Sequence, residues 1–443
     1  MAHVHCVDQN NAILYNILTM DKNYYKQVLI EQKEEGAGLA APRVIRRTAE
    51  KAASEAMKSG LVKVISGMRR CGKSTLAHSL MKGRSYGYVN FDDERLSGVK
   101  TADLNSLLEI LAQINPGMKY ILLDEIQNVE GWELFVNRIH RKGYNVVVTG
   151  SNSRLLGREL ATHLVGRYLK IELSPFSFRE YLDYQGVVPE EADFFVTERK
   201  AALKRHFEAY LSGGGLPGAF GLADWKSYLR ELFDKIITRD IVDRYGIRNV
   251  LDLKEIGLYA LSNYSSRITY HKIRNVFDIK SVNTVKSYLD HLEEAYLTFQ
   301  LKPFSFKTKE LVKLPRKIYA MDNGLISAVV PKITLDHGRM MENLVFTQLR
   351  RLGEEIYCYA GQGCEVDFVL REGAGIRKLV QVCYSMSNKD TAKREIGALL
   401  KASVQLRCKD LSIITWDEEG VEKTSAQTIR LEPVWKWLLD CEK

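Results

Sequence analysis

The sequence predicts an α/β protein that begins with a parallel sheet around a phosphate-binding loop and continues into further helical and α/β modules. Two observations favour this fold class. The apolar run LVKVIS at 61–66 leads directly into GMRRCGKS at 67–74, which matches the pattern G-x-x-x-x-G-K-[ST]. The run STLAHSLM at 74–81 then has the apolar spacing of a helix. The motif therefore lies between a strand and a helix, which is the context that a phosphate-binding loop needs.

The residue types of this loop indicate a nucleotide site. Its glycines let the backbone wrap so that N–H groups point at phosphates, and the N-terminus of the following helix adds partial positive charge. Lys73 is predicted to bridge the β- and γ-phosphates, and Ser74 is predicted to ligate Mg²⁺. The residues predicted to contact the nucleotide are Gly67, Arg69, Arg70, Cys71, Gly72, Lys73, Ser74 and Thr75.

A second predicted strand ends in two carboxylates. KYILLDEIQ at 119–127 is apolar until Asp124 and Glu125. Because burying unpaired carboxylates is costly, a functional role is favoured over a packing role, and a turn at the sheet edge is the alternative. We expect Asp124 to hold Mg²⁺ and Glu125 to orient or deprotonate the attacking water.

Three more strands complete the predicted sheet. NVVVTGSNS at 145–153 reads as a strand that delivers Ser151 and Asn152 to the same edge, where Asn152 is predicted to sense the γ-phosphate. The runs at 86–92 and 168–173 supply two further strands. Five strands with helices between them predict a parallel sheet that binds its ligand at the carboxyl edge.

Several motifs resemble one known family. TGSNSRLLGRELATHLVGRYLKIELSPFSFREYL at 149–182 resembles bacterial and archaeal AAA-type ATPases that carry a C-terminal domain of unknown function, similar to a restriction-endonuclease core. The likeness continues in YLSGGGLP at 210–217, KIYAMDNGL at 317–325 and CEVDFVL at 364–370, and it spans nearly everything from about residue 61 onward.

This resemblance implies an AAA-like core that binds ATP and Mg²⁺. It also makes Arg167 and Arg239 candidates to stabilise charge in the transition state, a role worth about 10³–10⁵ in rate. An ion pair on a solvated face is the alternative for each arginine. Because AAA-like proteins often complete their site with an arginine from a neighbouring subunit, a homo-oligomer stays open, as does whether either arginine acts in its own chain.

The chain is long enough for several domains. GGGLP at 213–217 reads as a tight loop and is assigned no chemistry. The predicted divisions are a helical lead-in at 1–56, the P-loop AAA-like core at 57–184, a helical lid at 185–248, a winged-helix module at 249–318 and a restriction-endonuclease-like α/β domain at 319–443.

A basic segment at 262–317 indicates which class of macromolecule the protein binds. Residues 252–306 predict three helices and then short strands, as in a helix-turn-helix with a β-wing. Residues 262–317 hold eleven Lys and Arg against five Asp and Glu, in a chain whose formal net charge is +9. This local excess favours DNA over a protein partner, which is the alternative. The predicted DNA contacts are Ser281, Asn283, Thr284, Lys286, Lys307, Lys309 and Lys313.

The C-terminal module matches a metal-dependent nuclease site except at one position. Glu342, Asp367 and Gln381 match the acidic and amide positions of restriction-endonuclease-like sites, and Cys383 stands where the lysine belongs. A thiol carries no positive charge at any pH, so it cannot stabilise the anion that builds up on the phosphate.

Other lysines do not replace the missing one within the motif. Lys378 is predicted to lie about 16 Å away on the opposite face of its strand. Lys389 or Lys393, on the following segment, could reach the site from elsewhere. We therefore expect a degenerate nuclease site. Its fold would then serve to dock a partner or to hold DNA.

Composition narrows the function classes. Seven scattered cysteines favour reduced thiols over a disulfide framework, and no secretory signal or membrane span is predicted. These features predict a cytoplasmic, Mg²⁺-dependent ATPase with a DNA-contacting module. The alternatives are a nucleotide-gated docking switch with little hydrolysis and an ATP-controlled metal nuclease.

Overall fold

The computed structural model describes residues 22–39, 45–152, 166–307, 314–331, 336–361, 363–424 and 427–442. The chain forms two compact units. The N-terminal unit comprises Met1–Gly67 and Gly72–Leu173, and the C-terminal unit comprises Met68–Cys71 and Ser174–Lys443. Within the described ranges, none of the helices combines the length and apolar character needed to span a membrane. The finer division predicted from the sequence stays a prediction.

The N-terminal unit is built on a five-stranded parallel sheet in the order β2–β3–β4–β1–β5. Every residue of β1 is buried, as expected for a central parallel strand covered on both faces. The predicted α/β fold is confirmed, and all five predicted strands are present. They are β1 (Val62–Gly67), β2 (Tyr86–Asn90), β3 (Tyr120–Asp124), β4 (Asn145–Gly150) and β5 (Tyr168–Leu173).

Helices surround this sheet. Their apolar residues join those of the strands in one core, in which Trp132, Ile139 and Leu107 are almost fully buried. The helices are α1 (Lys22–Leu39), α2 (Ala49–Lys58), α3 (Lys73–Met81), α4 (Leu104–Ile114) and α5 (Trp132–Arg141).

The C-terminal unit begins with helices. Ser177 forms a capping box with Glu180 at the start of α6, which fixes where that helix begins. A stretch of π-helix, Ile236–Asp243, continues directly from α8. The helices of this part are α6 (Phe178–Tyr184), α7 (Thr197–Gly213), α8 (Trp225–Lys235) and α9 (Val250–Ser262).

A small antiparallel sheet follows, with the strand order β6–β8–β7. Two helices, α10 and α11, lie between β6 and β7 in the chain. The helix α11 buries Val285, Leu289 and Leu292, as its sequence spacing predicts. The elements are β6 (Ser266–Ile268), α10 (Tyr270–Val276), α11 (Val282–Glu294), β7 (Thr298–Leu301) and β8 (Arg316–Ala320).

The last part is a mixed six-stranded sheet in the order β13–β14–β12–β11–β10–β9. Strands β9 to β11 are antiparallel neighbours, whereas β11, β12 and β14 run parallel. The elements are α12 (Asn323–Val329), α13 (His337–Arg351), β9 (Glu355–Gly361), β10 (Cys364–Glu372), β11 (Gly375–Val382), α14 (Lys389–Leu406), β12 (Leu411–Thr415), β13 (Gly420–Lys423), β14 (Thr428–Pro433) and α15 (Val434–Asp440).

The glycines of GGGLP have a structural cause. The buried carboxylate of Asp322 accepts hydrogen bonds from the backbone N–H groups of Gly215, at 2.6 Å, and Gly324, at 2.9 Å. A Cβ on Gly214 would lie 2.2 Å from Asp322 Oδ1, and a Cβ on Gly215 would lie 2.2 Å from the carbonyl oxygen of Phe176. The loop therefore requires glycine for close backbone approach, and no catalytic role is needed to explain it.

Candidate nucleotide-binding site

The phosphate-binding loop occupies its predicted place. Gly67 ends β1, and α3 begins at Lys73. Gly72 precedes the helix with a φ of 99°, in the left-handed region that glycine adopts without strain, and its carbonyl accepts the N–H of Leu76 at 3.0 Å. The N-terminus of α3, where backbone N–H groups point out of the helix, thus stands at the carboxyl edge of the sheet, where an anion is stabilised.

Lys73 is paired inside this site. Its ammonium lies 3.1 Å from Glu125 Oε1, and the two side chains are only 4% and 13% exposed. Glu125 has a φ of 50°, a strained value for a residue with a side chain, and its N–H donates to Thr149 Oγ1 at 3.0 Å. The turn after β3 is therefore held in a conformation that directs this carboxylate to the lysine.

Asp124 is a buried carboxylate surrounded by hydroxyl groups. Thr149 donates its hydroxyl to Asp124 Oδ1, Tyr88 donates to Oδ2 at 3.3 Å, and Ser74 also hydrogen bonds to the carboxylate. Burial and the adjacent charge of Glu125 together raise the pKa of Asp124 above its ordinary value. A buried carboxylate beside a serine hydroxyl is an oxygen donor set that suits Mg²⁺.

The segment after β4 also reaches this edge. Ser151 and Asn152 are both buried, and β4 lies between β3 and β1 in the sheet. The Ser151 hydroxyl oxygen is buried without a hydrogen-bond partner among the described residues. The loop after β4 thus brings polar groups to the edge where Lys73 and Asp124 lie, as the sequence predicts.

The structure does not bring Arg167 to the site within its own chain. Its backbone carbonyl accepts the N–H of Val62, so it lies at the amino end of β1 and β5, about 20 Å along the strands from Gly67. Its exposed side chain donates to Asn137 at 3.3 Å. A charge-stabilising role for Arg167 would therefore have to be exerted on a neighbouring subunit.

Four other predicted residues belong to the C-terminal unit, namely Arg69, Arg70, Cys71 and Arg239. Arg69 pairs with the buried carboxylate of Asp240 at 3.1 Å, and Cys71 is buried. Arg239 lies on the π-helix and is exposed.

Thr149 is the residue that sequence reasoning missed. It ties Asp124 to the backbone of Glu125 and so orients both acids. The sequence feature that could have indicated Thr149 is its hydroxyl group, which directly follows the apolar run VVV in β4.

The predicted nuclease-like residues also come together, in the C-terminal unit. Asp367 N–H donates to Gln381 Oε1 at 3.1 Å, and a cavity of about 830 Å³ is lined by Glu342, Asp367 and Gln381. Lys317, from β8, places its ammonium 2.6 Å from Asp367 and 3.0 Å from Glu342. Sequence reasoning did not assign Lys317 to this site, because it lies 50 positions before Asp367 in the chain.

Cys383 takes no part in this cluster. Its sulfur lies 3.2 Å from the carbonyl oxygen of Ser385, and the side chain packs in the apolar core with Leu399. Burial raises the pKa of the Cys383 thiol to about 11, so it stays protonated. Of the lysines considered from the sequence, Lys393 lines the cavity. Among the described residues, no group of three or more His, Cys, Asp and Glu side chains is arranged to hold a metal.

The predicted DNA contacts lie around α11. The Ser281 hydroxyl caps this helix by accepting the N–H of Asn283 at 3.1 Å. Asn283, Lys286 and Lys307 are exposed, and Thr284 is half-buried. Lys309 and Lys313 lie outside the described residues.

Comparison with known proteins identifies the family. A family model described as an AAA domain matches residues 59–182, and one described as a domain of unknown function matches residues 204–336. An uncharacterized protein of Methanocaldococcus jannaschii is 35% identical over 400 residues, which are 85% of this chain and 88% of the relative. The chain belongs to a prokaryotic family of AAA-type proteins. Another member, an uncharacterized protein of Haemophilus influenzae, is 33% identical over 346 residues, 73% of this chain and 83% of that one.

Solved structures resemble this family member more distantly. The Walker-type ATPase of Pyrococcus abyssi matches with a TM-score of 0.41 and 12% identity over 66% of this chain and 99% of that one. The Aeropyrum pernix ORC1 protein, solved in complex with DNA, matches with a TM-score of 0.31 and 13% identity over 71% of this chain and 96% of that one. The family model over residues 59–182, not these structures, confirms the predicted AAA-type recognition, and the N-terminal unit is an AAA-type P-loop fold equipped to bind a nucleotide. The restriction-endonuclease-like core is not confirmed.

Proposed function

We propose that this protein is a Mg²⁺-dependent ATPase whose nucleotide state controls contact with DNA. The buried ion pair between Lys73 and Glu125 is the observation that carries this proposal. It brings the lysine of a phosphate-binding loop into contact with the acid positioned to activate water. Two such groups, buried together at the carboxyl edge of the sheet, match the arrangement needed for phosphoryl transfer to water.

Lys73 and Glu125 each have a second possible partner, a phosphate for the lysine and a water molecule for the acid. Lys73 pairs with Glu125, and the ammonium offsets the charge of the carboxylate while this contact lasts. A triphosphate offers Lys73 a stronger anionic partner, because charge-assisted contacts to phosphate exceed those to a single carboxylate. Glu125 is then released to orient a water molecule and accept its proton, with Asn152 near the γ-phosphate. Activation of the base is thereby linked to occupancy of the site.

Asp124 and Ser74 are the residues that would hold Mg²⁺. Their oxygens adjoin, and burial raises the pKa of Asp124, so a bound cation would favour its ionised form. When bound with ATP, Mg²⁺ would offset the charge that develops on the phosphates. The hydroxyls of Thr149 and Tyr88 keep the Asp124 carboxylate fixed for this task.

The helices α9 to α11 and the strands β6 to β8 support a DNA-contacting module. Their order in the chain, helix, strand, two helices and two strands, is the order of a winged helix. The exposed Asn283 and Lys286 stand in the first turns of α11, where such modules contact bases and phosphates. With the basic excess of residues 262–317, this favours DNA as the partner.

ATPase assays of the full chain with and without duplex DNA test the proposal. Wild type is expected to release phosphate in Mg²⁺, Lys73→Ala to lose nucleotide binding, and Glu125→Gln to bind but not hydrolyse. Lys82→Ala, an exposed lysine just beyond α3, is the matched control and is expected to behave as wild type. Equal turnover in wild type, Lys73→Ala and Glu125→Gln would refute the enzyme assignment.

A nucleotide-gated docking switch is the second candidate, and the locked Lys73–Glu125 pair also favours slow turnover. Salt titration of DNA binding separates the two. Contact with phosphates predicts a steep loss of affinity as salt rises, whereas protein docking predicts no DNA binding to titrate.

A further inference from the structure

The C-terminal unit contains a cavity of about 830 Å³. The residues that line it lie between Arg267 and Lys401 in the sequence, so none of them belongs to the nucleotide site. Four carboxylates line it, and three of them, those of Glu342, Glu365 and Asp367, surround one ammonium group. The ammonium group of Lys317 lies 3.0 Å from Glu342, 3.4 Å from Glu365 and 2.6 Å from Asp367. The lysine side chain is only 5% exposed, so its position is set by packing and not by solvent.

The remaining hydrogen bonds show that the cluster is fully built around this ammonium. Tyr319 donates its hydroxyl to Glu342 at 2.7 Å, and the N–H of Val382 donates to Asp367 Oδ2 at 3.0 Å. Arg267, paired with Lys317 across β6 and β8, contacts Glu365 at 3.2 Å. Each carboxylate thus has a cationic partner from the chain itself. A buried ammonium surrounded by three carboxylates has the charge and position that a divalent cation would otherwise supply.

The side of the cavity formed by α14 carries an excess of positive charge. Lys393, Arg394 and Lys401 line it there, together with one acid, Glu395. Arg394 pairs with Glu395, whereas neither Lys393 nor Lys401 forms an ion pair with a carboxylate in the described part of the chain. The two lysines are eight positions apart on one helix, which separates them by about 12 Å along its axis. That distance spans three to four nucleotides of a B-form strand, at about 3.4 Å per nucleotide.

We propose that this cavity binds the phosphate backbone of a nucleic-acid strand without a metal ion, and that Lys317 is the built-in counter-ion that replaces the metal. The three carboxylates, two of them buried, would repel phosphates if they were uncompensated. Lys317 removes that repulsion, and Lys393 and Lys401 then supply the attraction. The proposal goes beyond ATP hydrolysis and DNA contact by α11, because it assigns a second nucleic-acid site that needs neither nucleotide nor Mg²⁺.

Binding of a fluorescein-labelled single-stranded oligonucleotide to the full chain, followed by anisotropy in EDTA without ATP, tests this site. Wild type is expected to bind equally well in EDTA and in Mg²⁺. Reversing both lysine charges on α14, Lys393→Glu with Lys401→Glu, is expected to weaken binding at least tenfold and to lower the slope of log affinity against log salt by about 1.4, since each phosphate contact contributes about 0.7 on a single strand. Lys423→Glu, an exposed lysine on β13, is the matched control.

The role of Lys317 is tested by a charge-balanced pair of variants. Lys317→Met alone leaves the carboxylates uncompensated and is expected to abolish binding in EDTA. Lys317→Met with Asp367→Asn removes one charge of each sign and is expected to restore it. Circular dichroism of both variants establishes that they are folded, and cross-linking through 5-iodouracil is expected to label the α14 peptide.

Four results would overturn the proposal. They are loss of wild-type binding in EDTA, unchanged affinity in the α14 double variant, cross-links confined to α11, and Mg²⁺- or Mn²⁺-dependent cleavage of the oligonucleotide that disappears in Asp367→Ala. Failure of the ATPase assays would leave this test unaffected, because the binding is measured without nucleotide.

Discussion

Replacing Glu125 with Gln should separate nucleotide binding from hydrolysis. Lys73 is held by Glu125 at 3.1 Å, and both side chains are largely buried. Binding of a triphosphate has to break this pair before Lys73 can contact phosphate. The substitution preserves the shape of the side chain and removes its charge, so this competition is lost. Hydrolysis, in contrast, loses the group that would accept a proton from water.

The size of the effect follows from the kind of contact removed. A hydrogen bond to a charged group contributes about 1.5–3 kcal/mol, which corresponds to roughly 10- to 150-fold in affinity. We therefore expect Glu125→Gln to bind ATP about 10- to 150-fold more tightly than wild type. Removal of a general base lowers rates by about 10²–10⁴, so turnover should fall by that factor.

Two assays on the same preparations check both parts. Titration with a fluorescent ATP analogue gives the affinity, and phosphate release gives the turnover. Glu130→Gln, an exposed acid a few residues further on, is the control that should change neither. Weaker ATP binding in Glu125→Gln than in wild type, or unreduced turnover, would refute the role assigned to the pair.

Three further predictions concern the architecture around the two sites. Thr149→Val removes the hydroxyl that links Asp124 to the Glu125 backbone, so thermal unfolding should show a loss of about 1–3 kcal/mol together with reduced turnover; unchanged stability and turnover would contradict this. Burial raises the pKa of Asp322 to about 6, above its unfolded value of 3.8, so its stabilising contribution is fully present below pH 3.8 and is lost as pH rises through 6. The stability difference between wild type and Asp322→Asn, from urea denaturation, should therefore fall by about 2 kcal/mol between pH 4 and pH 7, and a flat difference would show that the carboxyl is not perturbed. Gly215→Ala should destabilise the protein by several kcal/mol because its Cβ meets the Phe176 carbonyl, whereas Gly397→Ala, with open space on α14, should be neutral or stabilising by up to about 1 kcal/mol; equal effects would refute the close-approach explanation.

The part of the fold that could be predicted from the sequence is local. The phosphate-binding loop combines a short apolar strand, Gly67, Gly72 and a helix start within twenty residues, so its geometry follows from adjacent residues. Asp124 and Glu125 could be placed at the same edge because the carboxyl ends of parallel strands meet there. The strand order itself is β2–β3–β4–β1–β5. It depends on how the strands and helices pack against one another, so it cannot be read from any single segment of the sequence.

The parts that could not be predicted depend on contacts between distant segments. The nuclease-like motif lacks a lysine at its usual position, and sequence spacing gave no reason to bring in Lys317 from another sheet. In the same way, the need for glycine at position 214 is explained by Asp322, more than 100 positions away in the chain. Arg167 was selected for its residue type within a resembling motif, whereas its position at the amino end of β5 follows from the register with β1.

Calorimetric titration of the full chain with ATP and Mg²⁺ tests the central claim most directly. A saturable heat of binding is expected for wild type and none for Lys73→Ala, since Lys73 is the only residue changed in the phosphate-binding loop. Absence of heat with wild type, or the same heat with both proteins, would contradict it.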